Sequence, residues 1–317
     1  MVAPVVAPES PLIVLAGPTA SGKTALALHL AQQLNGEIVS CDSVAVYRDM
    51  EIGTAKPTLT ERTLVAHHLI DVVTPDQHCT AGDYSRLARE SLAGITSRGH
   101  VPIVAGGTGL YLRALIDGLF PAPPQTPGRR ERLRSLATTR GPAYLHRLLT
   151  RLDPAAATAI HANDVPKVIR AVEVSLAANQ PLTEQWQQGR DTLTGYRILR
   201  LGLNPPRALL YDRINLRAAD MFDRGLVEET QSLIARYGPD CRPFTSLGYA
   251  EASAVLNHQL TRDQAVAQAQ QGHRNYAKRQ LTWFRREPHM HWLEGIGSDP
   301  AIIHRAMHLA TVHLATQ

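Results

Sequence analysis

The sequence predicts an α/β fold, a doubly wound parallel sheet interrupted by a mainly helical insert. Three observations predict it. Short uninterrupted apolar runs alternate with helical stretches, which implies crossover units around a sheet buried on both faces. The first three runs each end in a glycine-rich or acidic turn, where doubly wound sheets bind their ligands. Between the third and fourth runs lies an arginine-rich tract of helical pattern, opened by clustered prolines.

Taken in order, Met1 to Pro11 is rich in Ala, Val and Pro and reads as a flexible N-terminus, residues 1–11. Leu12-Ile13-Val14-Leu15-Ala16, bounded by Pro11 and Gly17, reads as the first buried strand. Leu26, Leu30 and Leu34 then recur every fourth residue beside Ala27 and Ala31. They predict one helix, with Asn35-Gly36 as a glycine stop. Glu37-Ile38-Val39-Ser40 is the second strand and leads to Asp42. Val101-Pro102-Ile103-Val104-Ala105 is the third and leads to Gly106-Gly107-Thr108. A stiff segment, Pro121 to Gly128, marks a composition shift, and the chain stays helical in pattern to about Gly195. Tyr196 to Leu203 resumes as a strand before Pro205-Pro206. The expected organisation is a core of residues 12–118 and 196–317 with a lobe, 119–195, inserted into it. Near the end, Asp263 to Glu287 predicts one long helix before Pro288.

Composition narrows the function classes. The 317 residues, 44% hydrophobic and 19% charged, exclude a wholly disordered chain, a collagen-like repeat and a disulfide-stapled miniature. The longest apolar stretch, Val101 to Phe120, is broken by Arg113 and Asp117, short of the roughly 18 apolar residues of a membrane span. No basic residue precedes an apolar run at the N-terminus, so no signal peptide is read and a cytoplasmic address is expected. Cys41, Cys79 and Cys241 form no CxxC pair and read as reduced thiols. The net charge is +5, and 29 of the 33 basic residues are arginines, a side chain suited to phosphate and base contacts.

Gly17-Pro18-Thr19-Ala20-Ser21-Gly22-Lys23-Thr24 fits GxxxxGK(S/T) between a predicted strand and a predicted helix, the context a phosphate loop requires. Glycines let backbone amides approach phosphate oxygens, the helix N-terminus adds partial positive charge, Lys23 reaches the terminal phosphate, and Thr24 can ligate Mg²⁺. The core is thus P-loop NTPase-like, with nucleotide and ATP binding implied by the motif alone. No NKxD base-reading motif of a GTPase occurs, and the strand before Gly106 ends without the acid an ATPase would place there. The acid is Asp42, after the second strand, where it either acts on an acceptor molecule or caps a turn with Ser43.

Further motifs accompany the loop: Asp42-Ser43-Val44-Ala45-Val46-Tyr47-Arg48, Gly53-Thr54-Ala55-Lys56-Pro57, His67-His68-Leu69-Ile70-Asp71 and Gly106-Gly107-Thr108-Gly109-Leu110-Tyr111. Asn163-Asp164, Arg170-Ala171-Val172-Glu173, Gly248-Tyr249 and Tyr276 to Arg285 continue the series. This ordered set resembles the tRNA dimethylallyltransferase (tRNA isopentenyltransferase) family from about Pro11 to Trp292. The resemblance implies transfer of a dimethylallyl group from dimethylallyl diphosphate to N6 of adenosine 37, beside the tRNA anticodon. It gives the phosphate loop, Gly17 to Thr24, a prenyl diphosphate, with Mg²⁺ on Thr24, and makes Asp42, Arg217 and Thr19 catalytic. Asp42 would take the amine's proton, and Arg217, in an RxxxR helix with Arg213, would neutralise the departing diphosphate. Contacts to tRNA are implied for Asp42, Ser43, Val44, Ala45, Thr108, Lys167, Arg170, Gly248, Tyr249, Lys278, Arg279, Gln280, Trp283 and Arg285. Two positions depart from the commoner family pattern, Ala45 in place of Gln and His273 in place of Thr. The partners implied are the tRNA anticodon loop and the allylic donor, with no membrane and a monomer as the expected form.

At about 100° per residue the long helix sorts by face. Arg274, Lys278, Arg279, Arg285 and Arg286 share one arc, and Tyr276, Ala277, Leu281, Trp283 and Phe284 the other. In the insert, Arg129, Arg130, Arg132, Arg134, Arg140, Arg147 and Arg151 meet few acids, and the resemblance makes that lobe part of the RNA grip. The target adenine would have to be flipped out of its loop to present its amine, entering a channel between core and insert. His67-His68 and His289-Met290-His291 lack zinc-site spacing and read as ordinary histidines. Three other readings stay open: a small-molecule P-loop kinase, a nonenzymatic RNA-binding protein, and a prenyltransferase acting on free adenine nucleotides.

Overall fold

A computed structural model of the chain describes residues 9–120, 123, 127–186 and 189–316. The expected flexible N-terminus falls outside the described residues up to position 8, as does most of the proline-rich segment 121–126. The chain divides into two compact units, one running through Ile116 and again from Leu193, the other Asp117–Thr192.

The first unit is built on a six-stranded sheet. Its strands are β1 (Ser10–Ala16), β2 (Gly36–Cys41), β3 (His67–His68), β4 (Val101–Gly106), β5 (Tyr196–Leu203) and β6 (Met290–Leu293). They lie in the order β3-β2-β4-β1-β5-β6, and every pairing is parallel. Register is set centrally by Ile13 opposite Ile103 on one side and Leu199 on the other. The continuous apolar run of β1 has its reason here: Leu12, Ile13, Val14 and Leu15 are all buried, alternating between two cores. Leu12, Val14, Val39 and Val104 face Tyr84, Leu92 and Ile95 of the helix Ala81–Ser97. Ile13, Leu15, Ile38 and Ile103 face Leu26 and Leu30 of the helix Lys23–Gln33 and Ala306 and Ala310 of the helix Pro300–Ala315.

Two details differ from the sequence reading. The helix after the phosphate loop ends at Gln33, and the left-handed residue beyond it is Asn35, with φ 50°. Asn tolerates this conformation, so Gly36 is free to begin β2. The long helix spans Arg262–Phe284, opened by a Thr261–Gln264 capping box, and Arg285 to Glu287 turn out of it. Strands β3 and β6 were not foreseen, being two and four residues long and rich in His.

The second unit is helical, with helices Pro127–Arg140, Pro142–Leu152, Pro154–Ala159, Val165–Ala178 and Leu182–Trp186. Leu133, Leu145, Leu149, Val168, Ile169 and Val172 form its core. Asp153, buried, caps the third helix through Ala156 N at 2.9 Å and accepts Thr183 N at 2.8 Å, which ties the last helix to it.

Candidate active site

Three adjacent strands, β2, β4 and β1, deliver their following loops to one place at the carboxyl edge of the sheet. After β1 the phosphate loop turns into the helix Lys23–Gln33. Gly22 has φ 87°, and a Cβ there would lie 2.8 Å from Gly297 N, so glycine is required on two counts. Ala20 adopts φ 62° despite its Cβ. Braces from elsewhere hold this strained turn. Thr19 N donates to Gln280 Oε1 at 2.8 Å, Ala20 O accepts from Arg213 Nε at 3.0 Å, and Ser21 O accepts from Gly297 N at 2.9 Å.

After β2, Asp42 Oδ1 accepts Val44 N at 2.8 Å and Ala45 N at 3.2 Å, the turn-capping role considered above. Its Oδ2 takes neither amide. After β4 the glycines permit close approach: a Cβ at Gly106 would sit 2.1 Å from Cys41 O, at Gly107 2.2 Å from Gln280 Nε2, and at Gly109 2.3 Å from the Trp283 ring. Thr108 Oγ1 then accepts Ser43 N at 3.0 Å, pinning the turn that holds Asp42.

The segment from Met50 to Pro57 closes another side. Its Lys56 ammonium is buried, donating to Tyr47 O at 2.7 Å and Asp71 Oδ1 at 2.6 Å. Glu229 accepts both Ile52 N at 2.9 Å and the Tyr249 hydroxyl at 2.6 Å, and a Cβ at Gly53 would meet the Tyr249 ring at 2.4 Å. The GTAKP motif is therefore a wall held by one buried cation and one buried phenol.

These loops line an open pocket with a cavity volume of about 120 Å³. Thr19, Lys23, Thr24 and Arg217 line its polar end, Asp42 stands among them, and Ala27, Ile38, Ala45, Ile70 and Ala105 supply an apolar wall. Tyr276 and Gln280 enter from the long helix, one turn apart.

Two cations share the polar end. Burial, and then the field of Arg217, lowers the Lys23 pKa to about 8, with Asp42 opposing. Burial also lowers that of Arg217, again opposed by Asp42. Arg217 Nη2 reaches Thr54 O at only 3.5 Å, and its buried Nε has no hydrogen-bond partner among the described residues. Two cations facing one carboxylate leave net positive charge at this end of the pocket, which favours an anion. His273, lowered to about 4 by burial and by Arg217, is neutral at neutral pH. Burial pushes the Tyr276 phenol up to about 12.

A pH dependence follows from Lys23. Its charged form, which an anion needs, prevails below about 8 and is lost above it. The specificity constant for an anionic ligand turned over here should therefore fall above pH 8, approaching about tenfold per pH unit. At saturating ligand the fall moves to higher pH, because the bound anion favours the ammonium. Rates measured from pH 6.5 to 10 at low and at saturating ligand check both parts.

The family model described as IPP transferase matches residues 45–287. The chain belongs to the IPP transferase family. A protein of Koribacter versatilis named tRNA dimethylallyltransferase is 62% identical over 298 residues, spanning 94% of this chain and 97% of that protein. One of the same name from Solibacter usitatus is 50% identical with the same coverage. The crystal structure of the tRNA isopentenylpyrophosphate transferase from Bacillus halodurans aligns with a TM-score of 0.70 at 36% identity, over 96% of this chain and 97% of that one. A eukaryotic dimethylallyltransferase, in structures described as acting on tRNA, aligns with a TM-score of 0.78 at 27% identity, over 92% of this chain and 75% of that one.

In this IPP transferase the pocket brings together Thr19, Lys23, Thr24, Asp42, Ala45, Arg217 and Gln280 from the residues singled out by sequence. Lys278, Arg279 and Arg285 are exposed, and Lys167, also exposed, pairs with Asp164. Trp283 is half-buried, with the Arg113 guanidinium 4.4 Å above its ring. Arg170 donates to Glu173 at 3.0 Å and to Pro123 O at 3.1 Å.

Three residues do not stand free on the surface. Gln280 is a buried residue of the pocket wall, its amide bonded at both ends, to the phosphate loop and to Gly107. Tyr249 is fully buried and braces the Gly53 wall, so its ring is not on the surface. Arg274 does not stand free on the basic face, because it bonds Asn215 and Gln271. Sequence reasoning also passed over Arg213 as a loop brace. Its signal was the one-turn spacing to Arg217. The signal for Gln280 was its place four residues from Tyr276 and from Phe284, a polar side chain on the apolar face.

Proposed function

We propose that this IPP transferase moves a dimethylallyl group from dimethylallyl diphosphate to N6 of adenosine 37 in tRNA, giving N6-(dimethylallyl)adenosine and diphosphate. One observation carries the reading: two half-buried cations, a carboxylate and an apolar wall line a single pocket at a phosphate loop. The diphosphate lies against the loop, Lys23 and Arg217, and the five-carbon group lies along Ala27, Ile38 and Ala105. The allylic C–O bond breaks with its electron pair going to the diphosphate, where the cations are already placed for the charge that develops. The N6 lone pair forms the new C–N bond. Asp42 Oδ2 accepts the proton that N6 releases, while Oδ1 stays on its turn amides.

Mg²⁺ fits the donor set. Thr24 presents a hard oxygen at the pocket, and Mg²⁺ typically combines few protein oxygens with substrate phosphates and water, so no cluster of carboxylates is needed. When bound it neutralises diphosphate charge. The adenine arrives extruded from its loop. Exposed Lys278, Arg279 and Arg285, and in the other unit Arg132, Arg147 and Arg151, take RNA phosphates. No described helix is long and apolar enough to cross a membrane, and the reading sets the enzyme beside its RNA substrate in the cytoplasm.

Incubation of the chain with labelled dimethylallyl diphosphate, Mg²⁺ and unmodified tRNA, followed by nucleoside analysis, tests this. Label is expected in N6-(dimethylallyl)adenosine at position 37. Phosphoryl transfer from ATP without any need for tRNA, or prenylation of free AMP in preference to tRNA, would contradict it.

A further inference from the structure

We propose that Gln280 is a positioning residue for the prenyl donor and not an RNA contact, an assignment that rests on the donor occupying the phosphate loop. The side chain is buried, with Oε1 accepting Thr19 N at 2.8 Å and Nε2 donating to Gly107 O at 2.9 Å. It thereby joins the loop after β1 to the loop after β4. The first holds the leaving group. The second, through Thr108 Oγ1 and Ser43 N at 3.0 Å, holds the turn on which Asp42 sits. One amide thus fixes the separation between the departing diphosphate and the carboxylate that takes the N6 proton.

The loop depends on such a brace. Ala20 sits at φ 62°, a conformation that persists only where the surroundings impose it. Thr19, Ala20 and Ser21 are each held by a bond from a distant segment, and of these only the bond to Thr19 comes from a buried side chain. The fit at Gly107, where a Cβ would fall 2.2 Å from Gln280 Nε2, admits the amide only because residue 107 is glycine.

Gln280→Met keeps the length of the side chain and removes both bonds. Its kcat/KM for dimethylallyl diphosphate should fall on the order of 10²-fold, the effect of misplacing reacting groups by about an ångström. The KM for tRNA should stay within about twofold of the wild type, because the exposed cations that take RNA phosphates are untouched. Gly107→Ala, which displaces the amide while leaving Gln280 in the chain, should give the same pattern and serves if the first variant folds poorly. A raised tRNA KM with the donor constant unchanged would return Gln280 to the RNA surface. A lowered melting temperature with both constants unchanged, per active site titrated, would make it a packing residue only. If the wild-type chain itself prenylates no tRNA, the functional reading fails first. If the wild type is active and Gln280→Met matches it, the positioning role alone is overturned.

Discussion

Replacing Asp42 by Asn is expected to lower the single-turnover rate of prenyl transfer on the order of 10²- to 10⁴-fold, the range for a lost general base. Binding of tRNA should stay within a few-fold of the wild type. Asn is the informative choice because Asp42 does two things. Its Oδ1 caps the turn by accepting Val44 N and Ala45 N, and an amide oxygen can still do that. What Asn cannot do is take the proton from N6. Asp42→Ala removes both roles and should also abolish transfer, but with a loosened turn. An Asn variant that transfers at the wild-type rate would reduce Asp42 to its capping role.

Arg217→Met is expected to move activity and stability in opposite directions. The arginine is desolvated, holds Thr54 O only at 3.5 Å, and leaves a buried Nε unpartnered among the described residues. A charge placed so is costly in the free protein and valuable when diphosphate develops charge beside it. Turnover should drop on the order of 10²- to 10³-fold, as for loss of a preorganised donor at a developing anion. The melting temperature of the ligand-free variant should equal or exceed that of the wild type. The Lys23 pKa should rise as well, because the Arg217 field that lowers it is gone, so the alkaline limb of the donor profile moves to higher pH. Thermal unfolding and steady-state kinetics on one preparation check all three. Retained turnover, or a large loss of stability, would show that Arg217 is a structural cation.

The parts of this fold that the sequence makes legible are those in which backbone and side chain obey one short-range rule. The buried run of β1, the glycine spacing of the phosphate loop and the strand leading to Asp42 are local patterns, and each stands where the pattern predicts. The phosphate loop's braces are not local. Gln280 lies 261 residues from Thr19, and Arg213 lies 193 from Ala20, so no periodicity connects them. The burial of Tyr249 is illegible for a related reason: a tyrosine after a glycine suits an exposed loop as well as a buried phenol, and only Glu229 and Gly53, far away in the chain, decide between them. Strand β6 is hidden by composition, since Met290-His291-Trp292-Leu293 alternates weakly and follows a proline. The glycines of Gly106 to Gly109 read in sequence as the glycine-rich end of a strand, where ligands bind, and in the fold they let Cys41, Gln280 and Trp283 come close.

The most direct measurement is a crystal structure of the protein with Mg²⁺ and an unreactive thio-analogue of dimethylallyl diphosphate, grown in the presence of ATP. The diphosphate should lie on the amides of the loop from Gly17 to Thr24, contacted by Lys23 and Arg217, with the five-carbon chain along Ala27, Ile38 and Ala105 and its reactive carbon facing Asp42. A nucleoside triphosphate on the loop, with the allylic analogue excluded and Asp42 turned from the pocket, would contradict the account.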